Sequence, residues 1–261
     1  MSQSPIEDVN HPAFGARTEY LVQRIYESVL LPGMHAIDGG ANTGQHTFGI
    51  ARAVGPGGRV VAVEAVPSCV AELQRRMLDQ PEFSQFLEVI HAAITEHDGS
   101  VDFSVVADES GWSGLRPTPW TPQHLKQTVI RVDAVTLSSL TQRLGGRVDF
   151  IKLDLEGGDF AALRGSRALF DRCRPVMTFE NGGPAAARLY DYDFAHLERF
   201  FKDIDYRVFT INGVPMSEPT WQRLGQSGLP EALAVPNDAA ILDALLPRMP
   251  EFVADALIAL P

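Results

Sequence analysis

Two acidic residues bracket a glycine-rich turn near the start of this chain. In HAIDGGANTGQHTFGIARAV a short apolar strand ends on Asp38, the turn carries Gly39, Gly40 and Gly44, and a helix begins. GGRVVAVEA then supplies a second strand that closes on Glu64. A strand, a glycine turn, a helix and a later acid outline a nucleotide-cofactor site at the end of a parallel sheet. The acid before the glycines bears on which cofactor. A carboxylate there repels phosphates, whereas S-adenosylmethionine (SAM) carries no phosphate and offers an ammonium that a carboxylate can bind. Glu64 at the second strand end can accept from ribose hydroxyls.

Competing motifs fit less well. A Walker A loop needs Gly-Lys-Ser/Thr at its end, and Gly44 is followed by Gln45 and His46. The dinucleotide fingerprint G-x-G-x-x-G needs a glycine where Ala41 stands. These residues predict a cofactor-binding set of Asp38, Gly39, Gly40, Asn42, Gly44, Glu64, Ala65, Ala93 and Asp154. Asp38 is expected at the amino-acid end of SAM, directly or through water. Asn42 supports the turn, and Ala93 is small enough to admit the adenine.

A second constellation lies in FIKLDLEGG. Lys152, Asp154 and Glu156 have one parity along a strand and so share a face. The next strand ends in Glu180-Asn181. A SAM site implies methyl transfer, an in-line displacement that depends on positioning, and an acceptor of high pKa needs a base or a metal. Lys152, Asp154 and Glu156 are the catalytic candidates. Asp154, Glu180 and Asn181 offer oxygen ligands that suit Mg²⁺. The competing reading makes Asp154 and Glu156 cofactor and substrate contacts, with Lys152 paired to one of them or acting as a base after desolvation. His46 and His91 are alternative bases, and a lone histidine is more often structural.

The elements that must position these groups follow from periodicity. A helix is expected over 18–30 with Thr18 as N-cap, then strand 34–38, helix 44–54, strand 59–65, a helix opened by Pro67 and strand 86–94. Residues 95–133 break the rhythm with two strand candidates, VDFSVVA and TVIRVDAV, around a Gly-, Pro- and Trp-rich loop. Trp112 and Trp120 in that loop could staple it to the body or wall a pocket for an organic substrate. Helices near 136–144, 158–170 and 192–202 then alternate with strands at 147–157, 175–181, 206–211 and 230–236. This alternation predicts a doubly wound α/β sheet that binds ligands beyond the carboxyl ends of its strands. Three parts are expected: an N-terminal arm and helix (1–33), a cofactor domain (34–236) with insert 95–133, and a C-terminal helical tail (237–261). The tail could cap the sheet or pair with another subunit, which leaves a homo-oligomer open.

The chain has 261 residues and a net charge of −11, with a pI near 5.0. No basic run provides the footprint that nucleic acid needs. No stretch approaches the ~20 apolar residues of a membrane span. The N-terminus lacks a signal-peptide pattern, and the two cysteines, Cys69 and Cys173, show no metal or disulfide spacing. The expected setting is a reducing cytoplasm.

IDGGANTGQHT, RVVAVEAVPS, FIKLDLEGGDFAALRGS, RPVMTFEN and the late LAVP together resemble the FkbM family of SAM-dependent methyltransferases, across roughly 34–236. Two departures stand out: Glu64 is followed by Ala65 rather than proline, and the helix after the lysine–aspartate–glutamate–glycine block opens with Gly158-Asp159. The resemblance implies a class I methyltransferase (Rossmann-like) sheet, seven-stranded and mostly parallel with one antiparallel strand near an edge. It also implies O-methylation of a hydroxylated small molecule such as a polyketide, sugar or other secondary metabolite. An NAD-dependent oxidoreductase on a related sheet and a non-catalytic SAM-binding module are the alternatives. The insert 107–127 and the loop 182–191 are expected to shape the acceptor pocket.

Overall fold

The computed structural model describes residues 13–107, 109–117, 121–227, 230–238 and 240–259. Its strands form a seven-stranded, mostly parallel sheet in the order β3-β2-β1-β7-β8-β10-β9 and a separate three-stranded sheet, β4-β6-β5. The chain divides into two compact units: residues 30–175, and the N-terminal helix together with residues 176–261.

The N-terminal helix α1 spans Ala13–Val29. It starts earlier than expected, and Thr18 lies buried inside it rather than capping it.

In the unit 30–175, β1 is His35–Gly39 and α2 is Thr47–Val54. The glycine turn occupies the residues between them, so the helix begins three residues later than the sequence suggests. Strand β2, Arg59–Glu64, and helix α3, Pro67–Asp79, follow, with Pro67 at the first helical position, where its missing N–H is harmless. β3 is Leu87–His91. The expected strand 86–94 is broken, because Ala93–Ile94 forms β4 and pairs with Ala134–Val135 in the smaller sheet. That sheet is completed by β5, Gly99–Val106, and β6, Gln127–Val135, which run antiparallel as a hairpin. Both lie where the two strand candidates of the insert were expected. Trp120 lies outside the described residues.

Helix α4, Leu137–Arg143, is capped by Thr136, whose hydroxyl accepts from Ser139 N. It leads into β7, Phe150–Leu153. β1 pairs in parallel with both β2 and β7. β7 is wholly buried and β1 and β2 nearly so, as strands covered on both faces must be. The expected helix 158–170 is two helices, α5 at Asp159–Arg164 and α6 at Arg167–Cys173. Between them Gly165 packs on the Glu96 backbone so closely that a Cβ would lie 2.3 Å from its carbonyl oxygen. Ser166 leaves helical geometry, and its hydroxyl accepts from Ser138 N.

The second unit continues with β8, Val176–Glu180, α7, Gly183–Leu189, and α8, Phe194–Asp203. Then come β9, Tyr206–Thr210, α9, Glu218–Ser227, and β10, Glu231–Pro236. β10 runs antiparallel to both β8 and β9. It is the reversed strand that the family resemblance implies. The tail forms α10, Ala240–Leu245, and α11, Met249–Ala259. The tail packs on α1: Phe252 is fully buried, with the Arg24 and Arg248 guanidiniums 5.2 and 4.9 Å from its ring centre. Among the described residues no helix is long and apolar enough to cross a membrane.

Candidate active site

A cleft opens at the carboxyl ends of β1, β2 and β7. Its floor is the glycine turn. Gly40 adopts φ +68°, a left-handed conformation disfavoured for side-chain-bearing residues, and a Cβ there would fall 1.8 Å from the Asp154 carbonyl oxygen. Glycine is therefore required for the turn to pass beneath the end of β7. Gly40 and Ala41 donate their N–H groups to Val63 O, which ties the turn to β2. Gly44, at φ +90°, leaves room for Phe48 and Leu73, which a Cβ would meet at 2.8 and 2.6 Å.

Glu64 closes the side of the cleft. One carboxylate oxygen accepts from Val66 N and the other from Asn42 N, both at 2.7 Å. Burial pushes its carboxyl above the usual carboxylate range. The N–H groups of Val66, Asn42 and Ala65 and the charge of Lys152 act in the opposite direction. The Asn42 Oδ1 in turn accepts from the Cys69 thiol and the Ser110 hydroxyl. Burial also raises the Cys69 thiol's pKa, which keeps it protonated as a donor.

The opposite wall follows β7. Asp154 and Glu156 line the cleft, and Glu156 holds φ +51°. That backbone region costs a non-glycine residue about 1–2 kcal/mol. Lys152 lies one layer below, 7 % exposed. Its ammonium donates to Gly40 O and to Asp154 Oδ2, each at 3.3 Å, and stands 3.8 Å from Asp38 Oδ1.

Of the expected cofactor residues, Gly40, Asn42, Glu64, Ala65, Ala93 and Asp154 line this cleft. Asp38, Gly39 and Gly44 do not. The position of Asp38 has a clear cause. Its side chain is fully buried beneath the turn, where Oδ2 accepts from the Thr47 hydroxyl at 2.6 Å and Oδ1 faces Lys152. It cannot meet a ligand directly. Ala93 keeps its expected place at the cleft although it belongs to β4 and not to β3. Among the catalytic candidates, Asp154 and Glu156 reach the cleft, whereas Lys152 is buried below it with its ammonium on Asp154 and facing Asp38. His91 Nε2 lies 3.1 Å from Ala65 O, and His46 is buried at the start of α2. Neither lines the cleft.

The expected metal set loses its amide. Asn181 Oδ1 accepts from Gly183 N at 3.2 Å and from the Trp221 indole N–H at 3.0 Å. A carbonyl oxygen has two lone pairs, so none is left for an ion.

The sequence pointed to the insert as a pocket-forming segment but not to the residues through which it reaches this cleft. Ser110, Gly111, Ser113 and Leu115, together with Phe103 of β5, line the same cavity as Gly40 and Glu64. Trp112 is half-buried and is not among the lining residues. The only signal in the sequence was the density of Ser and Gly in the insert.

The cleft is acidic. Among its described lining residues are three carboxylates, Glu64, Asp154 and Glu156, and no Lys, Arg or His. Pyrophosphate would find no cation there, whereas a ligand with an ammonium and a sulfonium finds counter-charges. The Glu64 oxygens also retain lone pairs for ribose hydroxyls. The donor set therefore fits SAM. The fold and this site define the class: SAM-dependent methyltransferases on a mostly parallel α/β sheet.

Comparison with known proteins specifies the family. Residues 38–208 match the family described as Methyltransferase FkbM domain, and the chain belongs to it. A Protein-L-isoaspartate O-methyltransferase of Triticum aestivum is 33 % identical over 93 residues. That match spans 36 % of this chain and 36 % of the relative, so the chain covers about a third of that protein's length. Among solved structures, the methyltransferase FkbM of Methylobacillus flagellatus KT is 17 % identical with a TM-score of 0.45, covering 86 % of this chain and 58 % of that one. An O-methyltransferase from Bacillus cereus in complex with SAH is 15 % identical with a TM-score of 0.45, covering 91 % and 92 %.

Proposed function

We propose that this chain transfers the methyl group of SAM to a hydroxyl oxygen of a small molecule. The observation that carries the proposal is the charge of the cleft: three carboxylates and no cation among its described lining residues. When bound, SAM supplies an electrophilic methyl carbon on a positively charged sulfur.

The residues divide the remaining work. Glu64 accepts from ribose hydroxyls while its own oxygens are oriented by Val66 N and Asn42 N. Asp154, held by the Lys152 ammonium, receives the ligand's ammonium. Ala65 and Ala93, both buried and small, leave space for the purine. Glu156 would take the proton of the acceptor hydroxyl when the methyl group passes from sulfur to that oxygen and the cofactor leaves as the neutral thioether. A carboxylate in that position supplies the base that an alcohol of high pKa requires. Oxygen as the acceptor atom agrees with the name of the wheat relative, an O-methyltransferase.

Calorimetry with SAM tests the reading. Wild-type protein should bind saturably, and Glu64→Ala and Asp154→Ala should each weaken binding at least tenfold. NADH titrated under the same conditions should give no heat. Tight NADH binding, or SAM affinity indifferent to both substitutions, would overturn it. Glu156→Gln should leave SAM affinity within about threefold while turnover with a hydroxylated acceptor collapses.

A further inference from the structure

The insert was expected to shape the acceptor pocket; its described residues line the cleft that also holds Glu64 and Asp154. The segment from Ser110 to Leu115 is fixed to the edge of β5 by backbone hydrogen bonds between Ser104 and Gly114 in both directions, and by Val106 N donating to Ser113 Oγ. From that anchorage it reaches both walls of the cleft. On one side the Ser110 hydroxyl donates to Asn42 Oδ1 at 3.2 Å. Asn42 itself sits at φ +46° with its N–H on Glu64. On the other side Gly114 approaches the Glu156 turn so closely that a Cβ would lie 3.2 Å from Glu156 Cβ. Leu115 Cδ1 lies 3.3 Å from the position a Cβ would take on Gly158.

Beneath this bridge is an apolar slot. Ala65, Ala93 and Phe103 pack in one buried cluster with Leu115 against it, and all four line the cleft. These residues give this part of the cleft an apolar lining with two small side chains. Such a lining suits a flat heteroaromatic ring better than a polyhydroxylated acceptor. The polar atoms at its rim, Glu64 and the serines, suit the sugar attached to that ring.

On the SAM reading above, we propose that the segment Ser110–Leu115 is a clamp for the adenosyl half of the cofactor. Ser110 is the positioning residue that holds the clamp on the glycine turn through Asn42. The insert thus sets cofactor affinity and residence, and acceptor choice lies with other residues.

The test compares wild-type protein with Ser110→Ala, Ser110→Thr and Leu115→Ala. Kd values for SAM, SAH and adenosine are read by calorimetry, and SAH release by stopped-flow. Losing one neutral hydrogen bond predicts about three- to tenfold weaker binding of all three ligands in Ser110→Ala, expressed mainly as faster release. Thermal midpoint and acceptor KM should stay at wild-type values. Ser110→Thr keeps the hydroxyl and should restore residence, which a merely structural loop would not require. Leu115→Ala should weaken adenosine as strongly as SAM. The proposal is overturned if SAM, SAH and adenosine bind these variants as they bind wild type, or if acceptor KM rises while cofactor affinity holds. Failure of the wild-type protein to bind SAM at all would instead remove the reading beneath it.

Discussion

Removing the Lys152 ammonium should destabilise the fold far more than removing any surface cation. Asp38 and Lys152 face each other in register across β1 and β7. Their side chains are 0 % and 8 % exposed, with 3.8 Å between charged atoms. Asp38 Oδ2 is satisfied by Thr47, and Oδ1 has no hydrogen bond among the described residues. Lys152 is therefore what compensates a charge with no access to water. Breaking a buried pair by deleting one partner costs about 3–5 kcal/mol, because the survivor is left desolvated and uncompensated. For a chain of this size each kcal/mol lowers the melting midpoint by about 2–4 °C. Lys152→Met should thus lose roughly 6–20 °C in a thermal scan at neutral pH. The second arm removes the stranded charge: Asp38→Asn in the Lys152→Met background keeps an acceptor for Thr47 and should recover at least half of the loss. By contrast, Arg143→Ala, which breaks a pair whose two side chains are about half exposed, should shift the midpoint by no more than about 3 °C. The reasoning is refuted if Lys152→Met melts within about 2 °C of wild type, or if the double variant is as unstable as the single one.

Three further outcomes follow from the same geometry. Gly40→Ala would place a methyl group 1.8 Å from the Asp154 carbonyl oxygen at φ +68°, so the turn or the end of β7 must move. SAM affinity by calorimetry should fall at least tenfold, and near wild-type binding would show that the turn does not contact the ligand. Glu64 sets the acid limb of binding. Its folded pKa lies above that of the unfolded chain, so on lowering the pH it takes up its proton earlier than an ordinary carboxylate. The burial penalty on its charge, present above the folded pKa, is relieved as pH falls, while the acceptor that ribose hydroxyls need is weakened. SAM affinity followed from about pH 8 to about pH 5 should decline before ordinary carboxylates titrate, and a profile flat across that range would contradict this role. Because both lone pairs of Asn181 Oδ1 are engaged, activity is expected to survive exhaustive chelation; a loss reversed by added Mg²⁺ would show that a metal centre forms without that amide.

What could be read in advance depended on whether a residue's role was set locally or across the sheet. The turn after β1 was legible because glycine at a left-handed position leaves a local mark, and because an acid at the end of β2 belongs to the same short unit. The direction of the Asp38 side chain was not, since it depends on Lys152, 114 positions later, arriving in register on β7. The charge that pointed to a cationic ligand is present in the cleft on other residues, Glu64, Asp154 and Glu156. The acid before the glycines is thus better understood as the buried half of an ion pair whose lysine, through Gly40 O and Asp154 Oδ2, fixes the floor and the wall of the cleft together. Asn181 illustrates the same limit from the other direction. An amide beside an acid at a strand end reads as a ligand, but the indole of Trp221, forty residues on, already occupies its oxygen. Spacing along a strand predicts which residues arrive at a cleft, and only the neighbours that satisfy or strand their polar atoms decide which of them are left to act.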